Sequence, residues 1–99
     1  MTRAERIHHA LQQLAPLHLE VLNESHKHSG SATETHYRVV VVSAAFESQN
    51  RVARHRSINA LVRAEFDTGL HALAIEAVTA EQWAAAGGAQ LQSPNCMGG

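Results

Sequence analysis

Eight of the 99 residues are histidine, and no other abundant side chain in the chain can ligate a transition metal or titrate near neutral pH. Their positions sort them by use. His26 and His28, separated only by Lys27, fall in ESHKHSGSATET, residues 24–35, a polar stretch with no apolar face to bury. His71 heads the alternating run HALAIEAV, at the point where a core would meet solvent, a common place for a ligand histidine and equally for a structural one. His8 and His9 read as solvated surface. Three imidazoles and a water would satisfy zinc of the catalytic type, so His26, His28 and His71 could hold that ion, but no general base stands beside them and turnover is not expected. The lone Cys96 excludes an intramolecular disulfide and agrees with a reducing compartment. No serine sits in a nucleophile motif either, so the chain does not read as an enzyme.

A second group is basic. Arg51, Arg54, Arg56 and Arg63 gather four of the eight basic residues into 13 positions, which suits phosphate contact, an acidic docking partner or a plain solvated face. Glu65 and Asp67 dilute that field. A net charge of −1 gives no global pull on nucleic acid, so any such binding must be local.

These residues need elements to position them, and the organising stretch is 37–83. Val39, Val40, Val41 and Val42 form the β-branched run of a strand covered on both faces or at a sheet's centre. A helix over 54–66 follows, with Ile58, Leu61, Val62 and Phe66 on its buried face. His55 shares that face, whereas Arg56, Asn59 and Arg63 point outward. Gly69 ends the helix, and strand periodicity over 70–78 puts His71 on the inner side with Leu73, Ile75 and Ala77. Strand, crossover and strand make one βαβ unit with parallel strands. Upstream, Thr2 and Glu5 form a capping box for a helix whose apolar stripe is Ala4, Ile7, Leu11 and Leu14, with Arg6 facing water, and Pro16 stops it. Leu17, Leu19 and Val21 then alternate with His18 and Glu20 as a half-wet strand, and residues 24–35 join it to the next strand as a long, mobile hairpin loop. Phe46 plugs the core's edge. Thr79 and Gln82 form a second capping box, from which Trp83 can fold back onto the sheet. One domain over 1–86 and a disordered tail over 87–99 complete the expected organisation. No apolar run approaches the roughly 20 residues of a spanning helix, and the charged first ten residues do not resemble a signal peptide, so a cytoplasmic protein is expected.

NESHKHSG, ETHYRVVVVS, a Phe followed by RHR, then LHALAIEAVT and EQW together resemble the BolA family, from the first helix to SPNC in the tail. The resemblance implies an α+β fold similar to the class II K-homology domain, in the order α-β-β-α-β-α, with a three-stranded mixed sheet and helices on one face. It also implies a heterodimer with a monothiol glutaredoxin and a shared 2Fe–2S cluster in iron-sulfur and iron homeostasis, with a weak homodimer as the other assembly. The alternative it implies is a DNA-binding transcriptional regulator of stress response and cell morphology.

Carried over by residue, the family's loop ligand falls on His28, with His26 as a substitute, and its strand-start ligand falls on His71. Alone, the chain would hold no cluster, because the glutaredoxin cysteine and a glutathione must complete the four ligands. Arg54, His55, Arg56 and Arg63 would form the patch that meets glutaredoxin or DNA. A K-homology fold grips nucleic acid through a G-x-x-G loop, which is missing between the elements here, so DNA ranks second. Ser48 stands where the family usually has Gly, which puts the turn before the helix in question.

Overall fold

The computed structural model describes residues 1–25 and 35–88. Thr2 caps α1 (Arg3–Leu11) by the expected reciprocal box. Its Oγ1 accepts from the Glu5 N–H at 3.1 Å and Glu5 Oε1 accepts from the Thr2 N–H at 2.8 Å. Ile7 and Leu11 are fully buried on the inner face of this helix. A 3₁₀ turn (Gln12–Leu14) closes it, and Ala15 takes a left-handed conformation, φ 49°, immediately before Pro16.

Strand β1 (His18–Asn23) pairs antiparallel with β2 (His36–Val42), and β2 pairs parallel with β3 (Ala72–Val78), giving the order β1-β2-β3. The fold is therefore α+β with a three-stranded mixed sheet. The valine run forms the central strand, and all four valines are fully buried. Val39 and Val41 join Ile7, Leu11, Tyr37, Phe46, Ile58, Val62 and Leu70 in the core under the helices. Val40 and Val42 alternate to the other face, where His18 is the cross-strand partner of Val42. The short α4 (Ala80–Ala85), started by the second capping box, returns Trp83 to that side, stacked on His18 at 4.5 Å.

The connection from β2 to β3 differs from the single helix over 54–66. A 3₁₀ turn (Ala44–Ser48) buries Phe46, and α2 (Arg51–Leu61) starts earlier because Asn50 caps it through the Ala53 N–H at 2.9 Å. Ser48 needs no glycine there, since Ala15 is the only non-glycine with positive φ among the described residues. At Val62 the backbone leaves helical geometry (φ −109°, ψ 17°), and α3 (Arg63–Asp67) begins on a new phase. That break corrects the buried stripe: Phe66 is 37 % exposed and Glu65 only 7 % exposed. Glu65 turns inward to meet Arg3 and Arg6 of α1 at 2.8 and 2.9 Å, so Arg6 does not simply face water. Leu17 is also corrected, being 68 % exposed and outside β1.

No described helix is long and apolar enough to cross a membrane. Residues 89–99, with Cys96, lie outside the described residues, as do residues 26–34 of the hairpin loop.

Candidate metal and partner site

His71 stands just before β3 and is exposed, not half-buried on the inner face as its place in the alternating run suggested. Its backbone is nevertheless held firmly. The His71 N–H donates to the Thr35 carbonyl at 2.8 Å, and the Ala72 N–H reaches the same oxygen at 3.2 Å. On the other side, the turn from α3 into this residue depends on Gly69, whose φ of 124° is strained for any side chain. A Cβ at that position would also approach Arg3 Nη2 to 3.2 Å. Arg3 binds this turn at several points: Nη1 donates to the Glu65 carboxylate at 2.8 Å and to the Glu65 carbonyl at 3.0 Å, and Nη2 donates to the Thr68 carbonyl at 3.0 Å. The start of α1 thus fixes the segment that delivers His71.

The loop that carries His26 and His28 has a defined neck. Ser25 Oγ, almost fully buried, accepts from the Thr35 N–H at 2.9 Å and from the His36 N–H at 3.1 Å. The Glu24 N–H donates to the His36 carbonyl at 2.8 Å, and the Glu24 carboxylate meets Arg38 at 3.2 Å. Residues 26–34 therefore leave from Ser25 and return at Thr35, the residue whose carbonyl holds His71. His26 and His28 themselves lie outside the described residues.

The structure brings to His71 a residue the sequence reading passed over. His36 opens β2, and its ring lies parallel to that of His71 within 10°, with centroids 6.0 Å apart. Thr35 Oγ1 sits 2.9 Å from His36 Nδ1. The signal was the parallel pairing itself: two strands of one βαβ unit each begin beside a histidine, and the His36 to Ala72 register makes those histidines neighbours. Among the described residues no three His, Cys, Asp or Glu side chains gather as a metal site. Further ligands for a three-ligand site at His71 would come from residues outside the described ones or from another molecule.

The basic stretch divides. Arg54 turns inward: Nε donates to the Gln49 carbonyl at 2.9 Å, and Nη1 to the Ala77 carbonyl at 3.0 Å and to Gln82 Oε1 at 2.8 Å. Its guanidinium also lies 5.7 Å from the Phe46 ring centroid, so it ties α2 to the end of β3 and to α4. Its Nε and Nη1 are thus engaged within the chain, and the residue also lines the cleft between α2 and β3. His55 is half-buried outside the apolar core, beside a polar cleft between α2 and β3 that Arg51 and Glu76 also line. Arg56 and Arg63 are exposed, as expected, and line a shallow cleft with Asn59, Ala60 and Phe66.

Comparison with known proteins agrees with this architecture. The profile of the family described as BolA-like protein matches residues 10–82. An uncharacterized protein from Sinorhizobium, named for its place in the cobS 5' region, is 50 % identical over 72 residues, covering 67 % of this chain and 77 % of that one. A Vibrio cholerae protein named DNA-binding transcriptional regulator BolA is 38 % identical over 88 residues, 88 % of this chain and 83 % of its own. Among solved structures, the BolA domain of SufE1 from Arabidopsis thaliana superposes with a TM-score of 0.78 at 41 % identity, covering 83 % of this chain and 96 % of that domain.

Proposed function

Since the chain belongs to the BolA-like protein family, we propose that it is a binding protein that lends imidazoles to a 2Fe–2S cluster shared with a cytoplasmic monothiol glutaredoxin and glutathione. The observation that carries the reading is the join at Thr35, which holds His71 and ends the loop bearing His26 and His28. His28 is three residues from Ser25, and covalent geometry limits its Cα to roughly 10 Å from that anchor. An exposed imidazole on a fixed backbone and a second on a short tether are a donor set suited to iron that has lost two thiolates. When bound, the cluster supplies one-electron and iron-carrying chemistry whose potential its ligands tune. The chain presents the donor atoms, fixes where His71 stands, and leaves the remaining ligands to the partner. A ligating nitrogen must be unprotonated, so retention weakens on acidification.

The test is to titrate the purified chain into monothiol glutaredoxin carrying its cluster while following the visible spectrum. The spectrum is expected to change with the wild-type chain and to stay that of the glutaredoxin alone with His71→Ala. If both proteins produce the same change, the ligand assignment fails.

The second reading, transcriptional regulation through DNA, is favoured by the exposed Arg56 and Arg63 on α2 and α3 and by the name of the Vibrio relative. Phosphate contacts make affinity fall steeply with salt, with a logarithmic slope of about −0.9 per phosphate neutralised. On this reading a gel shift weakens with added salt, and replacing Arg56 and Arg63 by Ala shallows the slope by about two contacts. A shift indifferent to both changes removes the reading.

A further inference from the structure

We propose that the free edge of β3 is a docking site for an extended acidic peptide, which adds to the sheet as a further strand beside the first turn of α2. This goes beyond the cluster reading, which rests on His71 and the loop and assigns nothing to this edge. β3 is an outer strand, paired with β2 on one side. Hydrogen bonds at its two ends show which way its backbone points. The Ala72 N–H and the Val78 carbonyl are engaged on the β2 side, by Thr35 and Ser43, whereas the Ala77 carbonyl points away and accepts from Arg54 at 3.0 Å. Backbone direction alternates along a strand, so the N–H and C=O groups of Leu73 and Ile75 face outward with those of Ala77. Among the described residues, Arg54 at the Ala77 carbonyl is the single group that bonds this edge. Edges are ordinarily blunted by lysine, proline, a bulge or a covering segment, and ALAIEAV contains neither lysine nor proline. The Leu73 and Ile75 backbone groups and the Ala77 N–H are left to a partner.

The chemistry of the cleft beside this edge selects the occupant. Outward-facing backbone groups recur about 6.6 Å apart, two residues at roughly 3.3 Å each, the spacing at which another polypeptide strand presents its own. Ile75, Glu76 and Ala77 line one wall of the cleft, and Arg51, Arg54 and His55 line the other. Arg51 is exposed, and the first turn of α2 contains no acid. Glu76, the one carboxylate in the cleft, already faces Arg38 at 3.6 Å. Acidic side chains on the face of the added strand that looks toward α2 therefore meet an uncompensated cationic wall, while its alternate residues extend the opposite face of the sheet, where Ala74 is exposed. A second copy of this chain would bring another β3, whose single charge is Glu76 and is already paired. A single-stranded nucleic acid would answer the arginines but carries no repeating ladder of N–H and C=O groups. An extended acidic peptide answers both.

The experiment is an NMR titration of the isotope-labelled full chain with the synthetic peptide acetyl-Glu-Val-Glu-Val-Glu-Val-amide. The amide signals of Leu73, Ile75 and Ala77 are expected to shift, and their hydrogen exchange to slow, as the strand adds. Arg51→Ala is expected to weaken binding by about twofold to fivefold, the effect of one exposed ion pair. N-methylation of the peptide at every valine or at every glutamate removes one or the other row of its backbone donors, and one of the two is expected to abolish the shifts. Unmoved amides at millimolar peptide overturn the proposal, as does equal binding by both N-methylated peptides or by the counterpart with lysine in place of glutamate. So do shifts of these amides that grow with protein concentration alone, which give the edge to a second copy, or that oligothymidylate produces and the peptide does not, which give it to nucleic acid. None of these results bears on the glutaredoxin titration, whose outcome turns on His71.

Discussion

Glu65 makes its side chain useful by being nearly buried between two arginines. Its carboxylate meets Arg3 at 2.8 Å and Arg6 at 2.9 Å, and the Arg3 and Glu65 side chains are both close to nine-tenths buried. Removing one partner from such a pair leaves the other desolvated and uncompensated, which costs about 3–5 kcal/mol. Glu65→Ala is therefore expected to lower stability by that order in urea unfolding at unchanged m. A loss under about 1 kcal/mol would mean that the pair behaves as a surface bridge. Glu5, fully exposed in the other α1 contact, acts through pH. The Thr2 backbone N–H it accepts lowers its pKa most, desolvation opposes that, and the N-terminal charge and the Thr2 hydroxyl lower it further. A lowered folded-state pKa contributes stability above the unfolded value, and that contribution is lost as pH falls through the folded one. The gap in thermal midpoint between wild type and Glu5→Ala is thus expected to be open at neutral pH and to close in the acid range. A gap that is constant with pH would contradict the cap's ionic part. The capping boxes were legible as local motifs, but Arg3 was not, because its partners lie 62 and 65 residues away in the chain.

Periodicity located every main element and failed where it was extrapolated through a break. Ile58 and Val62 mark a real buried face, and continuing the same period to Phe66 put the wrong residue inside. The chain resets its phase at Val62, after which burial of Glu65 is stabilised by charges supplied from α1. No local pattern announces that arrangement. The basic run likewise divides by direction: Arg54 and Arg56, two positions apart on the helix, point different ways, so Arg54 reaches Gln49, Ala77 and Gln82 while Arg56 stays exposed. The short α4 is held by Trp83 on His18, whose Nε2 lies 2.5 Å from Glu20 Oε2. Because Trp83 is the chain's one tryptophan, its fluorescence reports the surroundings of that ring. His18→Ala is expected to red-shift the emission and lower the thermal midpoint, while His55→Ala leaves the emission in place. Identical spectra for wild type and His18→Ala would show that α4 docks without the stack.

Across the whole molecule, the sheet gathers the ends of distant segments at one rim. β2 begins at His36, β3 begins just after His71, and their parallel pairing sets both starts side by side with the neck of the loop. That juxtaposition explains why His71 could be singled out from sequence, at the head of a strand, while its neighbour His36 could not: their proximity depends on register between strands separated by two helices. It also gives the proposed division of labour. The rigid rim supplies a placed imidazole, the tethered loop supplies another, and sulfur comes from outside. The most direct measurement is visible circular dichroism of the chain mixed with cluster-loaded monothiol glutaredoxin, compared between wild type and His71→Ala. The account expects a new spectrum with wild type and the unaltered glutaredoxin spectrum with the variant. The same new spectrum from folded His71→Ala would contradict it.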